Sequence, residues 1–242
     1  MRRFGSSNVV FRKALKNEAA FEGERASYIG VGKKLLYFLV MTFVGAFGGI
    51  FLLNYYQEAL YVVLAISGIG TFILSLLSMI SNKVCKVTGP LYCLFEGCFI
   101  GLVSYALSFD LEGAVTMAIL STIAVFAVVA VLYLTNLVKV GNGFMRFLLI
   151  FSVGFILSQL LFLLISMFTG IEYSFGITAL ISLASVFIAT LYLFFDMENI
   201  RRIVEGGYPK EYEWTASFGL AFTLIWLYVE LLRIIAIFAN RD

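Results

Sequence analysis

Four ionisable residues stand inside apolar stretches of this sequence: Glu96, Asp196, Glu230 and Arg233. An ionised side chain at the centre of a membrane helix costs at least about 2.5 kcal/mol, so such residues are functional candidates by default. Carboxyl groups offer two kinds of chemistry here. They can take up and release protons, and they can ligate a hard cation such as calcium through oxygen. Glu230 and Arg233 are three positions apart and so share a helix face. They read either as a local ion pair that neutralises both, or as a polar path lined by Glu230 with Arg233 as a competing partner. Glu96 has no basic residue near it in sequence. It reads as a path residue or as an acid near a helix end that reaches the interface. Asp196, at the end of an apolar run, reads as a sensor or as a solvated helix-end acid.

The chain has no histidine. That excludes Ser-His-Asp and Cys-His catalysis, histidine haem ligation, histidine zinc sites and rhomboid-type intramembrane proteolysis. Cys85, Cys93 and Cys98 form no CxxC pair and read as buried free thiols. Soft metals lack suitable ligands. No Gly-rich phosphate loop is present. A retinal protein needs a lysine in the last helix, and a GxGD protease needs paired membrane aspartates; neither is found. The chain is expected not to be an enzyme and to carry no cofactor.

The elements that hold these residues follow from composition. Hydrophobic residues make up 62% of 242 and charged residues 13%, far from the roughly 45–50% and 25% of a soluble domain. A bilayer core of about 30 Å needs about 20 mainly apolar residues in a helix. Seven segments qualify: 35–53, 59–80, 91–109, 114–135, 147–168, 175–195 and 217–239. Helices are required because a lone strand cannot satisfy its backbone in lipid. The expected class is all-α, polytopic, with seven transmembrane helices at 33–242 behind a basic tail at 1–32. That tail has no apolar stretch of signal-peptide type. Its basic residues read as simple determinants of topology, or as a contact for anionic lipid headgroups rather than for nucleic acid.

Basic residues sort by side. Fifteen of the 17 fall in the tail with the edge of helix 1 and in the second, fourth and sixth connections. The other connections hold only acids: Glu58, Asp110, Glu112 and Glu172. The positive-inside rule places the N-terminus in the cytoplasm. With seven crossings the C-terminus lies on the far side, unless helix 7 re-enters. Small residues recur at helix-packing spacing, with Gly45 and Gly49 on helix 1, Gly97 and Gly101 on helix 3, and Ala114, Ala118 and Thr122 on helix 4.

Four stretches carry a family resemblance. They are Ser27-Tyr-Ile-Gly-Val-Gly-Lys-Lys34, Leu94-Phe-Glu-Gly-Cys-Phe-Ile-Gly101, Tyr192-Leu-Phe-Phe-Asp-Met-Glu-Asn-Ile200, and Glu205-Gly-Gly-Tyr-Pro-Lys-Glu-Tyr-Glu-Trp214 running on to Trp226-Leu-Tyr-Val-Glu-Leu-Leu-Arg233. From about Ala26 onward the chain resembles the Bax inhibitor-1 family, in particular its bacterial YccA-like branch. The resemblance implies six helices around a central seventh. It implies a pH-sensitive calcium leak channel in a bacterial inner membrane, with Asp196 and Glu230 as the sensor acids and as a candidate calcium or proton site. Glu96 matches an acid of helix 3. Calcium enters as a transported ion. The chain departs from the family pattern in having Glu rather than Asp at 230 and in having Arg233 beside it. If the hairpin centre lies near residue 207, Asp196 faces residues near 218, and Glu230 lies about 18 Å deeper at about 1.5 Å per residue. The other class of reading is a non-conducting binding module that docks on a membrane protease or other membrane complex through segment 198–214. A proton-coupled transporter is a third, for which no broken helix pair argues.

Overall fold

The computed structural model describes residues 23–55, 60–170 and 174–239. Glu58, Glu172, Arg241, the tail up to residue 22 and the side chain of Asp110 lie outside the described residues. Seven helices are described: α1 (Tyr28–Tyr55), α2 (Leu60–Ile80), α3 (Asn82–Asp110), α4 (Ala114–Leu134), α5 (Asn142–Thr169), α6 (Phe175–Glu205) and α7 (Tyr212–Ala239). Each is long and apolar enough to cross a bilayer. The chain is a seven-helix polytopic membrane protein, and its outward apolar side chains meet lipid.

Several helices run past the apolar windows. α1 begins at Tyr28, inside the segment assigned to the tail, because Ser27 caps it: its hydroxyl accepts the Gly30 N–H at 3.0 Å. α3 begins at Asn82 and passes through Pro90, where the sequence suggested a connection. Proline removes one backbone donor from a helix interior. Nearby, the Thr88 hydroxyl donates to the Val84 carbonyl at 3.0 Å and meets the Ser78 hydroxyl at 2.7 Å. α6 continues ten residues past Phe195 because Glu198 bonds to Arg201 and Arg202 along its own face. It stops at a Schellman turn: Tyr208 N–H donates to Ile203 O at 3.1 Å and Gly207 N–H to Val204 O at 3.2 Å. Gly207 takes φ 66°, a left-handed conformation that favours glycine.

The glycine pairs of α1 and α3 face each other. A Cβ on Gly45 would run into the Leu94 backbone, one on Gly97 into the Thr42 carbonyl, and one on Gly101 into Ala46. Backbone contact this close is how helices associate where lipid offers no hydrophobic drive. The small stripe on α4 behaves in the same way. Ala114 and Ala118 are buried against Leu232 of α7.

α7 is central. It packs against α1, α2, α3, α4 and α6 and faces α5 across a cavity. Its first half is held by aromatic edges: Phe38 of α1 meets Trp214 at 5.9 Å and Phe218 at 5.8 Å, and Tyr92 of α3 meets Phe218 at 5.2 Å. Such pairs are worth about 0.5–1.5 kcal/mol each beyond their burial.

The basic connections gather at one end of the bundle. Arg25 forms an antiparallel bridge with Pro209. Thr215 at the start of α7 donates to Asn82 at the start of α3 at 2.7 Å. Tyr133 near the end of α4 donates to Glu198 of α6 at 2.8 Å. These contacts bring the approach to α1, the α2–α3 turn, the end of α4 and the α6–α7 turn together.

Candidate functional site

The bundle holds a half-open cavity of about 950 Å³ lined by α2, α3, α5, α6 and α7. Glu96, Asp196, Glu230 and Arg233, the four residues singled out from sequence, all stand on its wall. On α7 the wall runs from Thr215 to Arg233, which at about 1.5 Å per residue is about 27 Å of helix. That is close to the thickness of a hydrocarbon core, about 30 Å.

Asp196 is 6% exposed and faces α7 as expected. Thr223 donates to its Oδ2 at 2.6 Å, and a Cβ on Gly219 would lie 3.3 Å from its Oδ1. Gly219 thus leaves room for the carboxyl and Thr223 holds it. Glu230 is also 6% exposed. It accepts from Trp226 Nε1 at 3.4 Å and from Arg233 Nη1 at 3.3 Å, both on its own helix and both at the long limit for a hydrogen bond. The Arg233 side chain is 52% exposed, so the ion pair of the sequence reading is present but half-open.

Asp196 and Glu230 share no hydrogen bond. Seven residues separate Glu230 from the Thr223 that holds Asp196, about 10 Å of helix rise. The two acids occupy different levels of one cavity. Glu96 of α3 is half-buried on the same cavity, beside Thr71 of α2. Among the described residues, no three acidic or thiol side chains come close enough to hold a metal ion together. Cys85 and Cys93 are buried and Cys98 half-buried, all as free thiols.

Sequence reasoning missed two acids. Glu213 is fully buried and Glu198 is 4% exposed. Glu213 accepts the Ser27 N–H at 2.8 Å and the Ser27 hydroxyl at 3.2 Å, and pairs with Lys34. Lys34 also lies 5.0 Å from the Trp214 ring. The start of α1 is thereby clamped to the start of α7. Two backbone bonds extend the clamp: Ala26 N–H to Tyr208 O at 2.8 Å, and Lys210 N–H to Glu24 O at 2.9 Å. The Glu24 carboxylate pairs with Lys210 and holds that ammonium above its ordinary pKa. Glu198 gathers Arg201, Arg202 and Tyr133. Its i+3 and i+4 arginines were a usable sequence signal. Lys34 is 179 residues from Glu213, so no local signal could reveal that pair. Within 198–214 these acids point inward, while Arg201, Arg202 and Tyr208 remain exposed.

Seven apolar helices, five of which line a cavity with carboxyl groups on its wall, define a polytopic membrane protein. A family model described as Bax inhibitor 1 like matches residues 8–240, and the chain belongs to that family. No curated protein matches it.

Proposed function

We propose that this protein is a proton-regulated leak path for cations, with calcium as the ion carried. The observation that supports this reading is the placement of Glu96, Asp196 and Glu230 on one cavity that follows α7 for most of a bilayer's depth. The charged and titratable groups on the wall are these three acids, Arg233, Tyr92 and Tyr192; Thr223 and Gly219 of α7 face Asp196. Ionised carboxylates lower the barrier for a cation in a low-dielectric passage. Protonation removes that field and the attraction that holds Arg233 to Glu230, so it shifts an equilibrium between conducting and closed arrangements. The basic end of the bundle faces the cytoplasm by the positive-inside rule, in a bacterial inner membrane. No catalytic step belongs to this reading.

The test is calcium flux into proteoliposomes across a pH series, for wild type, Glu230→Gln and Asp196→Asn. Wild type should conduct with a pH dependence that each substitution alters. Flux that is absent, or is independent of pH and of both substitutions, would sink the proposal. A partner that co-purifies in stoichiometric amount through the exposed face of 198–214, with no flux, would favour the docking reading instead.

A further inference from the structure

Each cavity acid has an aromatic residue four positions before it on the same helix. Tyr92 precedes Glu96, Tyr192 precedes Asp196, and Trp226 precedes Glu230. Residues four apart share a helix face, and all six line the same cavity. The rings also meet across helices: Tyr92 lies 5.6 Å from Phe222, and Tyr192 lies 5.9 Å from Trp226. Every carboxyl on this wall therefore shares its helix face with an aromatic side chain, and Trp226 turns its N–H edge to Glu230. On the α5 wall, Ser152 is 7% exposed and its Oγ has no hydrogen-bond partner.

This pairing suits one ligand chemistry better than others. A bare divalent cation wants six to eight oxygens around it, and the three acids do not converge. Aromatic walls offer such an ion no ligands. An organic ammonium group gains from both partners, because a carboxylate opposes its charge and a ring face attracts it through the quadrupole. Its hydrocarbon body would lie against the remaining apolar wall, and Ser152 supplies a polar contact on the far side. An anion meets three acids against a single arginine on this wall. The volume, about 950 Å³, lies within the range of small-molecule sites, about 300–1,000 Å³.

We propose that the cavity is a binding site for an amphiphilic organic ammonium compound, its charged group held between Asp196 or Glu230 and the aromatic side chains that precede them. Binding is independent of conduction. Amine binding without calcium flux would refute the leak reading alone, and flux without amine binding would refute this inference alone.

The probe is 4-phenylbutylammonium, compared with 4-phenylbutanol and 4-phenylbutyrate, which keep the body and change the charge. Binding to the purified full chain is followed by tryptophan emission, since Trp226 lies on the wall, and by titration calorimetry against protein-free micelles. The ammonium compound should saturate with a Kd at least tenfold below that of the alcohol, with the carboxylate weakest. In Asp196→Asn and Glu230→Gln that preference should shrink at least threefold, while alcohol binding stays unchanged. A preference below tenfold in the wild-type chain would overturn the inference, and so would a preference that neither substitution reduces threefold. The comparison of the three probes on the wild-type chain needs no variant to fold.

Discussion

Replacing Glu213 by alanine should loosen the joint between the start of α1 and the start of α7. The Glu213 carboxylate is fully buried. It accepts two hydrogen bonds from Ser27, at 2.8 and 3.2 Å, and pairs with Lys34, whose side chain is only 14% exposed. Truncation strips all three donors of their acceptor at once. Breaking a buried ion pair from one side costs about 3–5 kcal/mol. The Lys34 ammonium keeps its contact with the Trp214 ring, which places the loss near the lower end, about 3 kcal/mol. In a chain of this size each kcal/mol moves the melting temperature by about 2–4 °C, so a fall of about 6–12 °C is expected. Glu213→Gln retains an oxygen for Ser27 and loses the charge opposite Lys34. It should cost about 1–2 kcal/mol. The assay is thermal unfolding of the purified chain in one fixed detergent, with amide exchange at Ala26 and Lys210 as a local readout. If the alanine variant melts within about 2 °C of wild type, or no lower than the glutamine variant, the clamp does not hold the two helices together. Lys34→Ala in the Glu213→Ala background should add much less than it does alone, because the partner is already gone.

Two further outcomes test the packing and the exposed pair. Gly97→Ala places a methyl against the Thr42 carbonyl of α1 and should cost about 1–3 kcal/mol; Gly154→Ala, which meets nothing within 4 Å, should cost nothing in the same thermal assay. Lys210→Ala should leave stability unchanged near neutral pH, because its pair with Glu24 is exposed and solvent-screened. Its raised pKa keeps the ammonium charged through neutral pH, so on the alkaline side any contribution is lost only above about 10.4. An alkaline titration of wild type against Lys210→Ala checks this.

The apolar windows found all seven helices but not their ends. Hydropathy registers the part of a helix that meets lipid. The polar turns from Asn82 to Pro90 and from Asp196 to Glu205 are helical for other reasons: side-chain bonds, local ion pairs and packing at the bundle end. The cavity acids were legible because a charge within an apolar run is costly, although each also had a bland placement in a local ion pair or at a helix end. The glycine pairs of α1 and α3 were legible as close-contact surfaces, though only the structure matched one to the other. Glu198 and Glu213 were hidden for the opposite reason. They stand at span ends, where acids are ordinarily solvated, and their burial comes from Tyr133 and from Ser27 and Lys34, far away in the chain. Helix rise alone implied a level difference between Asp196 and Glu230, but put it at about 18 Å where the bond from Thr223 makes it about 10 Å. What it could not show was Gly219 and Thr223 forming the seat for Asp196.

The centrality of α7 carries a consequence for biogenesis. α7 follows the other six helices in the chain, so it leaves the ribosome after them. Until it inserts, the inner faces of α1, α3, α4 and α6 have no protein to cover them, and Glu96 and Asp196 lack the wall that encloses them. The membrane must hold an unfinished ring, whose earliest helix is fastened to the latest through Ser27, Lys34 and Glu213. Closure of the bundle therefore depends on a contact between the first and last of the seven helices to emerge. Nascent chains halted before residue 212 should be bundles that insertion factors and quality-control proteases can tell from finished ones.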